Sequence, residues 1–433
     1  MTSDKRDAGG FLPLVLLAIV VGAFTGLVAG TFRVLLERAD HLRLELVTWA
    51  HGFGVLGLLL TILCAAAATG LAAYLVRRYS PLARGSGIPE VEATLKGEVP
   101  PWGRLLLVVK YIGGLLAIGA GLALGREGPS IQMGANVGHF FGSVARTAGE
   151  LQKTLIAAGA GSGLAVTFNA PISGAAFVIE ELAKRFETRI TIATLGASAT
   201  AVAVARLMIG DAPDLPVPPV QFMAFRDLPL YLVLGVVCGV LGGWYARAIL
   251  GALALADRFD HIRVEWRAAL VGAVVGLIAW YSPGLVGGGD NLTRAALDGT
   301  MLGWALLFVF AIRFLLGPAS YAAGTPGGIF APMLVLGAQL GVMLHWAVDA
   351  VGIPSSAQPL ALAIVGMSAF FTAVVRAPLT GIVLVAELTN SVSVLLPMLA
   401  ASFTAMAVAE AMKVAPVYDA LGERAARRQG QAK

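Results

Sequence analysis

Long stretches without a charged residue constrain this chain more than any other feature. These runs cover residues 8–32, 46–76, 154–179, 268–289, 314–348, 350–375 and 388–409. About 20 helical residues cross the roughly 30 Å hydrocarbon core of a bilayer, so each run is long enough to span it. Polarity does not alternate along the runs as it would in barrel strands. We therefore expect an all-α polytopic membrane protein with about ten or more membrane segments.

The composition excludes a soluble protein, because only 13% of the residues are charged and 58% are hydrophobic. Ordinary soluble chains carry about 25% charged residues. The 53 glycines and 21 prolines predict short, broken or closely packed helices, which are typical of transporters. Cys64 and Cys238 both lie in apolar runs, which predicts packing in the core. The net charge of +5 is explained by membrane topology and lipid head groups rather than by nucleic acid.

Two segments repeat in the same order along the chain. Residues 125–138 align with 328–341, with glycine, proline or alanine matched at five positions. Residues 170–180 align with 377–387, which pairs Glu180 with Glu387. Paired segments interrupted by glycine and proline predict two related halves with a binding site between them.

These patterns predict the organisation of the chain. We assign residues 1–10 to a cytoplasmic N-terminal segment, 11–425 to a membrane domain and 426–433 to a basic tail. The first repeat is predicted at about 11–210 and the second at about 225–425. The first apolar run is too long for a signal peptide and is expected to remain as a helix.

Three predicted helix N-termini carry the candidate site. The segment Gly85-Ser-Gly-Ile-Pro-Glu90 is typical of the start of a short helix, with Ser86 near its N-cap. Glu127 and Phe330 each lie just before a proline that opens a glycine-spaced apolar helix. Helix N-termini present unpaired N–H groups and about half a positive charge, so three of them meeting at one point would attract a small anion. A plain capped helix is the alternative for Ser86.

Glu127 is the most informative residue, because an ionisable group in a membrane segment is a functional candidate by default. A simple ion pair with the adjacent Arg126 is the alternative. At an anion-attracting helix end, the carboxylate of Glu127 would itself fill the site. An arriving anion would displace it and favour its protonation, which links anion and proton movement.

Glu180 and Glu181 follow the charge-free run 154–179 and precede a basic cluster, which indicates the cytoplasmic end of the span. The repeat mate Glu387 indicates a structural role for Glu180. Glu181 has no acidic counterpart, so it is the better candidate for a proton role. Pairing of one of the two with Lys184 is the alternative.

Tyr418 begins the last predicted helix, just after Pro416. Its hydroxyl could donate to an anion, although packing at the membrane interface is the common role of such a tyrosine. The five histidines form no metal-binding cluster and the sequence has no phosphate-binding loop. We therefore expect no metal, no cofactor and no enzymatic activity.

The three helix-start segments at residues 85–90, 125–129 and 328–332, together with Tyr418, closely resemble motifs of the CLC family of chloride channels and transporters. The resemblance extends from about residue 10 to 425. The resemblance implies an all-helical fold of two inverted-topology repeats, assembled as a homodimer with a separate anion pathway in each subunit. It also implies that Glu127 is the external gating glutamate and Glu181 the internal proton-transfer glutamate. The implied anion-binding residues are Ser86, Gly87, Gly128, Ile329, Phe330 and Tyr418, the first and last through their hydroxyls.

The predicted function is therefore chloride/proton antiport, with chloride, bromide and protons as the moving ions. A passive voltage- or pH-gated chloride channel is the alternative, and a membrane sensor or scaffold without flux is a third. We expect a bacterial cytoplasmic membrane with both termini in the cytoplasm. No regulatory module is expected after Tyr418, because the remaining tail is short and basic.

Overall fold

The described part of the chain is built almost entirely of α-helices. The computed structural model describes residues 11–212, 214–220, 222, 224–300 and 303–431. Among these residues there is no β-strand, only two isolated bridges between loops. The all-α prediction is therefore confirmed. The predicted N-terminal segment 1–10 and the last two residues of the predicted tail lie outside the described residues.

In the described residues, eight α-helices precede the loop between the halves. They are α1 (Phe11–His51), α2 (Val55–Tyr79), α3 (Ile88–Lys96), α4 (Arg104–Gly119), α5 (Glu127–Val144), α6 (Gly149–Phe168), α7 (Pro171–Phe177) and α8 (Thr188–Ile209). A π-helical turn, Val178–Leu182, continues α7.

Nine α-helices follow that loop in the part of the chain that the structure describes. They are α9 (Leu228–Arg258), α10 (Val264–Tyr281), α11 (Asp290–Leu297), α12 (Trp304–Ala322), α13 (Phe330–Val351), α14 (Pro359–Val375), α15 (Pro378–Thr389), α16 (Leu395–Ala411) and α17 (Val417–Gln431). α17 continues through the predicted boundary at residue 425, so the basic residues up to 431 belong to this helix.

The helices confirm a multi-pass membrane protein. Among the described residues, seven helices are long and apolar enough to cross a bilayer, and α14, α15 and α16 are shorter apolar helices. α1 has 41 residues, which at 1.5 Å per residue gives about 60 Å, twice the hydrocarbon thickness. The short helices agree with the proline content, because α14 and α15 each begin at a proline.

The repeated glycines bring helix pairs into backbone contact in both halves. A Cβ at Gly134 of α5 would lie 2.1 Å from the carbonyl oxygen of Gly159 in α6. In the second half, a Cβ at Gly337 of α13 would lie 2.3 Å from the carbonyl oxygen of Gly366 in α14. Only glycine allows such a close approach. The aligned glycines therefore have the same packing role in each half.

The two cysteines differ in their surroundings. Cys238 is fully buried, as predicted, but Cys64 is exposed on α2, so the prediction of core packing is wrong for Cys64. An apolar run in a membrane protein has a side that faces hydrocarbon as well as a side that faces the core. The run alone does not distinguish the two.

Candidate anion and proton site

Loop backbones hold three helix N-termini together. Gly125 and Gly328 exchange two N–H to carbonyl hydrogen bonds of 2.8 Å each, which joins the loops before α5 and α13. The loop before α3 joins the same loop of the second half, because Gly85 donates to Thr325 and accepts from Gly327, both at 3.0 Å. The three segments identified in the sequence are thus brought together.

The starts of α3 and α5 touch directly. A Cβ at Gly128, in the first turn of α5, would lie 2.7 Å from the Cα of Ser86. Gly87 caps α3 in the left-handed conformation, with φ of 80°, and a Cβ there would lie 2.3 Å from the Gln132 side chain. Both positions require glycine for steric reasons. The convergence concentrates unpaired N–H groups from three helices around one point.

Glu127 points into this convergence. Its side chain is 1% exposed, and Oε2 has no hydrogen-bond partner among the described residues. A Cβ at Gly125 would lie 1.8 Å from that oxygen, and one at Gly328 would lie 3.4 Å from it. An unsatisfied buried polar group costs about 1–3 kcal/mol. A new hydrogen-bond partner for Oε2 of Glu127 would therefore be favourable.

Arg126 does not pair with Glu127, so the alternative of a simple ion pair is wrong. Its guanidinium lies 3.4 Å from Asp214, 3.7 Å from Asp290 and 3.8 Å from Glu37. Asp214 belongs to the loop between the halves, which is far away in sequence. Adjacent residues on a helix point about 100° apart, so Arg126 faces this acidic group while Glu127 faces the helix ends.

The two predicted hydroxyl ligands are both buried and lie at or against a helix start. Tyr418 is 0% exposed and its hydroxyl has no partner among the described residues, which is unlike an interfacial tyrosine. Its ring stacks on Phe330 with centroids 6.1 Å apart. The Ser86 hydroxyl is also fully buried, with only long contacts of 3.4 Å to the Ile88 amide and the Tyr321 hydroxyl. Both hydroxyls therefore remain available to a ligand.

The sequence analysis missed two residues that support the Ser86 loop. The buried ammonium of Lys110 donates to the carbonyls of Ala83 and Gly85, at 3.1 and 2.8 Å. The Tyr321 hydroxyl lies 3.5 Å from the Ser86 amide. Lys110 was detectable, because a lone charge within an apolar helix is a functional or structural signal by default. Nothing local marked Tyr321.

Glu180 and Glu181 lie together in the π-helical turn but face different surroundings. Both Glu180 oxygens cap α15, where they accept from the Leu379 and Thr380 amides at 3.0 and 2.7 Å. Glu181 is 4% exposed and its Oε1 has no partner among the described residues. π-helical turns are frequent at functional sites. The turn thus places the Glu180 carboxylate at the cap of α15, while one oxygen of the neighbouring Glu181 has no partner among the described residues.

Carboxylates cluster around Glu181. The carboxylate oxygens of Glu92, Glu181 and Asp419 lie within 4.8 Å of one another. The Lys184 ammonium is 2.8 Å from Glu92 and also pairs with Asp419, so the protein supplies its own cation here. Lys184 forms no ion pair with Glu180 or Glu181 in the described part of the chain, contrary to the alternative. A cavity of about 440 Å³ is lined by both Glu181 and Asp419.

A second cavity, lined in part by α3 and α17, is basic. Its volume is about 350 Å³, and Arg84, Arg424 and Arg428 line it together with Tyr321 and the single acidic residue Glu90. Burial and the neighbouring arginines lower the pKa of Arg84 to about 10. A cavity with this charge raises the local concentration of anions next to the Ser86 loop.

Comparison with known proteins identifies the family. The family described as "Voltage gated chloride channel" matches residues 68–410, which is most of the chain. This chain belongs to the voltage gated chloride channel family. The family assignment confirms the resemblance drawn from the four sequence motifs.

Similar members of the family include two bacterial exchange transporters. A protein of Citrobacter koseri named H(+)/Cl(-) exchange transporter ClcA is 36% identical over 420 residues, covering 95% of this chain and 88% of that protein. The protein of the same name from Salmonella arizonae is also 36% identical, with the same shares covered.

Solved structures of the family share the fold. The crystal structure of a slow cyanobacterial Cl−/H+ antiporter is 33% identical, covers 99% of this chain and 100% of its own, and has a TM-score of 0.91. A eukaryotic CLC transporter is 24% identical, covers 95% of this chain and 74% of its own, and has a TM-score of 0.81. At that lower identity the likeness shows the fold alone. The CLC fold predicted from the sequence is confirmed.

Proposed function

We propose that this protein is a chloride/proton antiporter. The observation that carries the proposal is the placement of Glu127 at the point where three helix N-termini meet. Its carboxylate is buried, and one oxygen has no partner among the described residues. That environment stabilises negative charge, whether it belongs to the side chain or to a transported anion. The ClcA relatives and the cyanobacterial antiporter are named for this activity.

The anion occupies the space between Ser86 and Tyr418 in this proposal. Their hydroxyls donate to chloride, together with the backbone amides of Ile329 and Phe330 at the start of α13. Gly87 and Gly128 supply the close backbone approach at the other two helix starts. These neutral donors replace the hydration shell of chloride without a permanent cation, so the ion is held and still released.

Proton coupling follows from competition between Glu127 and the anion. When chloride enters, the Glu127 side chain leaves the helix ends and takes up a proton, because its stabilising N–H groups are now occupied. When the anion leaves, the deprotonated carboxylate returns. Glu181 exchanges protons with the opposite solution through the cavity that it lines. Ion and proton therefore move in opposite directions.

The surroundings of the protein complete the proposal. We place it in the bacterial cytoplasmic membrane with both termini in the cytoplasm, so that Glu181 faces the cytoplasm and Glu127 the outside. Each subunit of a homodimer embedded in the lipid bilayer has its own pathway. Bromide replaces chloride, because it has the same charge and a similar size.

Purified protein in liposomes with a chloride gradient tests the proposal, with external pH as the readout. Chloride movement that drives protons uphill supports antiport. Chloride flux without proton movement would instead identify a passive channel, and no flux of either ion would leave a sensor or scaffold. Crystals grown in bromide provide a structural check, since anomalous density is expected between Ser86 and Tyr418.

A further inference from the structure

Lys184 joins three segments of the chain through a single ammonium group. Its Nζ is 2.8 Å from Glu92 Oε1 on α3 and forms an ion pair with Asp419 on α17. Lys184 itself follows the π-helical turn that contains Glu181. One positive charge therefore connects α3, α17 and the segment that contains Glu181.

The two partner helices carry the two hydroxyl ligands. Ser86 lies six residues before Glu92, immediately before the Gly87 cap of α3. Tyr418 is adjacent to Asp419 in the first turn of α17. Moving α17 relative to α3 changes the distance between the two hydroxyls. The contacts of Lys184 oppose that movement.

The electrostatic and backbone properties of Lys184 fit a fixed tether. Although burial alone would lower it, hydrogen bonds to Asp419 and Glu92 raise the pKa of Lys184 above its usual value. Lys184 is therefore charged at any physiological pH. Its backbone adopts φ of 51°, a conformation that is uncommon for a residue other than glycine and is retained only where tertiary contacts favour it.

We propose that Lys184 is a positioning residue that holds the inner side of the anion site closed and transmits the charge state of Glu181 to Tyr418. The inference rests on the proposed antiport function. An ionised Glu181 adds a third carboxylate that competes for the ammonium and weakens its hold on Asp419. A protonated Glu181 leaves the ammonium to Glu92 and Asp419, so α17 stays fixed against α3.

The charged groups around Glu181 come from four segments. They are Glu180, Lys184 and Arg185 on its own segment, Glu92 with its partner Lys96 on α3, Asp419 on α17, and Arg376 at the end of α14. Lys184 is the only one of these that contacts both partner helices in the described structure. A loss of its charge therefore removes the link without removing any proton acceptor.

The test compares Lys184→Met with Lys184→Arg in liposomes, with the number of chloride ions moved per proton as the readout. Lys184→Met should raise that ratio about five-fold or more, because chloride slips through an inner side that is no longer held. Lys184→Arg should keep the wild-type ratio, since a guanidinium can bridge both carboxylates. Lys153→Met is the matched control, because Lys153 pairs at the surface with Glu150.

Asp419→Asn keeps the test decisive if Lys184→Met folds poorly, as judged by size-exclusion elution. Asp419→Asn should raise the same ratio. The double variant should be no worse than Lys184→Met alone, because both substitutions remove the same contact between Lys184 and Asp419. A wild-type ratio in both Lys184→Met and Asp419→Asn would overturn the inference. Absence of uphill proton movement in the wild-type protein would instead overturn the proposed antiport.

Discussion

The carboxylate of Glu180 in the first half accepts two hydrogen bonds from Thr380 in the second, at 2.7 Å from the amide and 2.8 Å from the hydroxyl. Glu387 makes the same contacts in the opposite direction, with the amide of Ser173 at 2.7 Å and also with its hydroxyl. Each glutamate thus caps a helix of the other half. This exchange is what a two-fold relation between the halves produces, and it supports the predicted repeat.

Glu387→Gln should destabilise the protein without changing its ion coupling. A glutamine places a donor where the carboxylate accepts, so one amide of α7 loses its partner at a cost of about 1–3 kcal/mol. Thermal unfolding in detergent should show a lower Tm, while Glu410→Gln, at an exposed position, should not. An unchanged Tm for Glu387→Gln would show that the capping contacts are not stabilising.

Glu127→Gln should abolish proton movement and leave chloride flux. The neutral amide cannot titrate, and it no longer competes with chloride as an anion at the helix N-termini. Proteoliposomes with a chloride gradient and a pH electrode measure both ions. Coupling that persists in this variant would remove Glu127 from the mechanism.

Gly125→Ala should displace the Glu127 side chain without unfolding the protein. The new Cβ would lie 1.8 Å from Glu127 Oε2, and the end of a side chain moves more easily than backbone. We expect faster chloride flux with fewer protons moved per chloride. Gly196→Ala is the control, because no atom lies within 4 Å of a Cβ built there. Wild-type flux and coupling in Gly125→Ala would show that the Glu127 side chain can be displaced without any effect on transport.

Tyr418→Phe should weaken chloride binding by removing one donor. A net hydrogen-bond contribution of about 0.5–1.5 kcal/mol corresponds to roughly a two- to ten-fold rise in the chloride Kd. Isothermal titration calorimetry measures this constant. Tyr245→Phe is a matched control, because Tyr245 is also fully buried with an unpartnered hydroxyl but lies outside the proposed anion site. Equal effects of the two substitutions would argue against a ligand role for Tyr418.

Glu181→Gln should stop proton movement but spare chloride flux. The variant keeps the shape of the side chain and removes its ability to carry a proton. The neighbouring Glu180→Gln should lower Tm, because Glu180 caps α15, and should retain coupling. If Glu180→Gln lost coupling while Glu181→Gln kept it, the two assignments would have to be exchanged.

The sequence predicted the candidate site where each residue carries a local signal. Glu127 and Phe330 precede prolines that open glycine-spaced helices, and the repeat separates Glu181 from Glu180. The partners of these residues were not predictable in the same way. Arg126 pairs with Asp214, 88 residues away, and no spacing rule connects a helix start with a distant loop.

The charge-free runs by themselves determined a polytopic helical membrane protein, because a bilayer allows few other structures for such a chain. The motifs and their order determined the family and the residues that meet at its centre. Only the tertiary structure decided which side of α2 exposes Cys64, that Lys110 supports the Ser86 loop, and that Lys184 joins α3 to α17. Those contacts depend on how distant helices are placed against one another, and local sequence does not encode that placement.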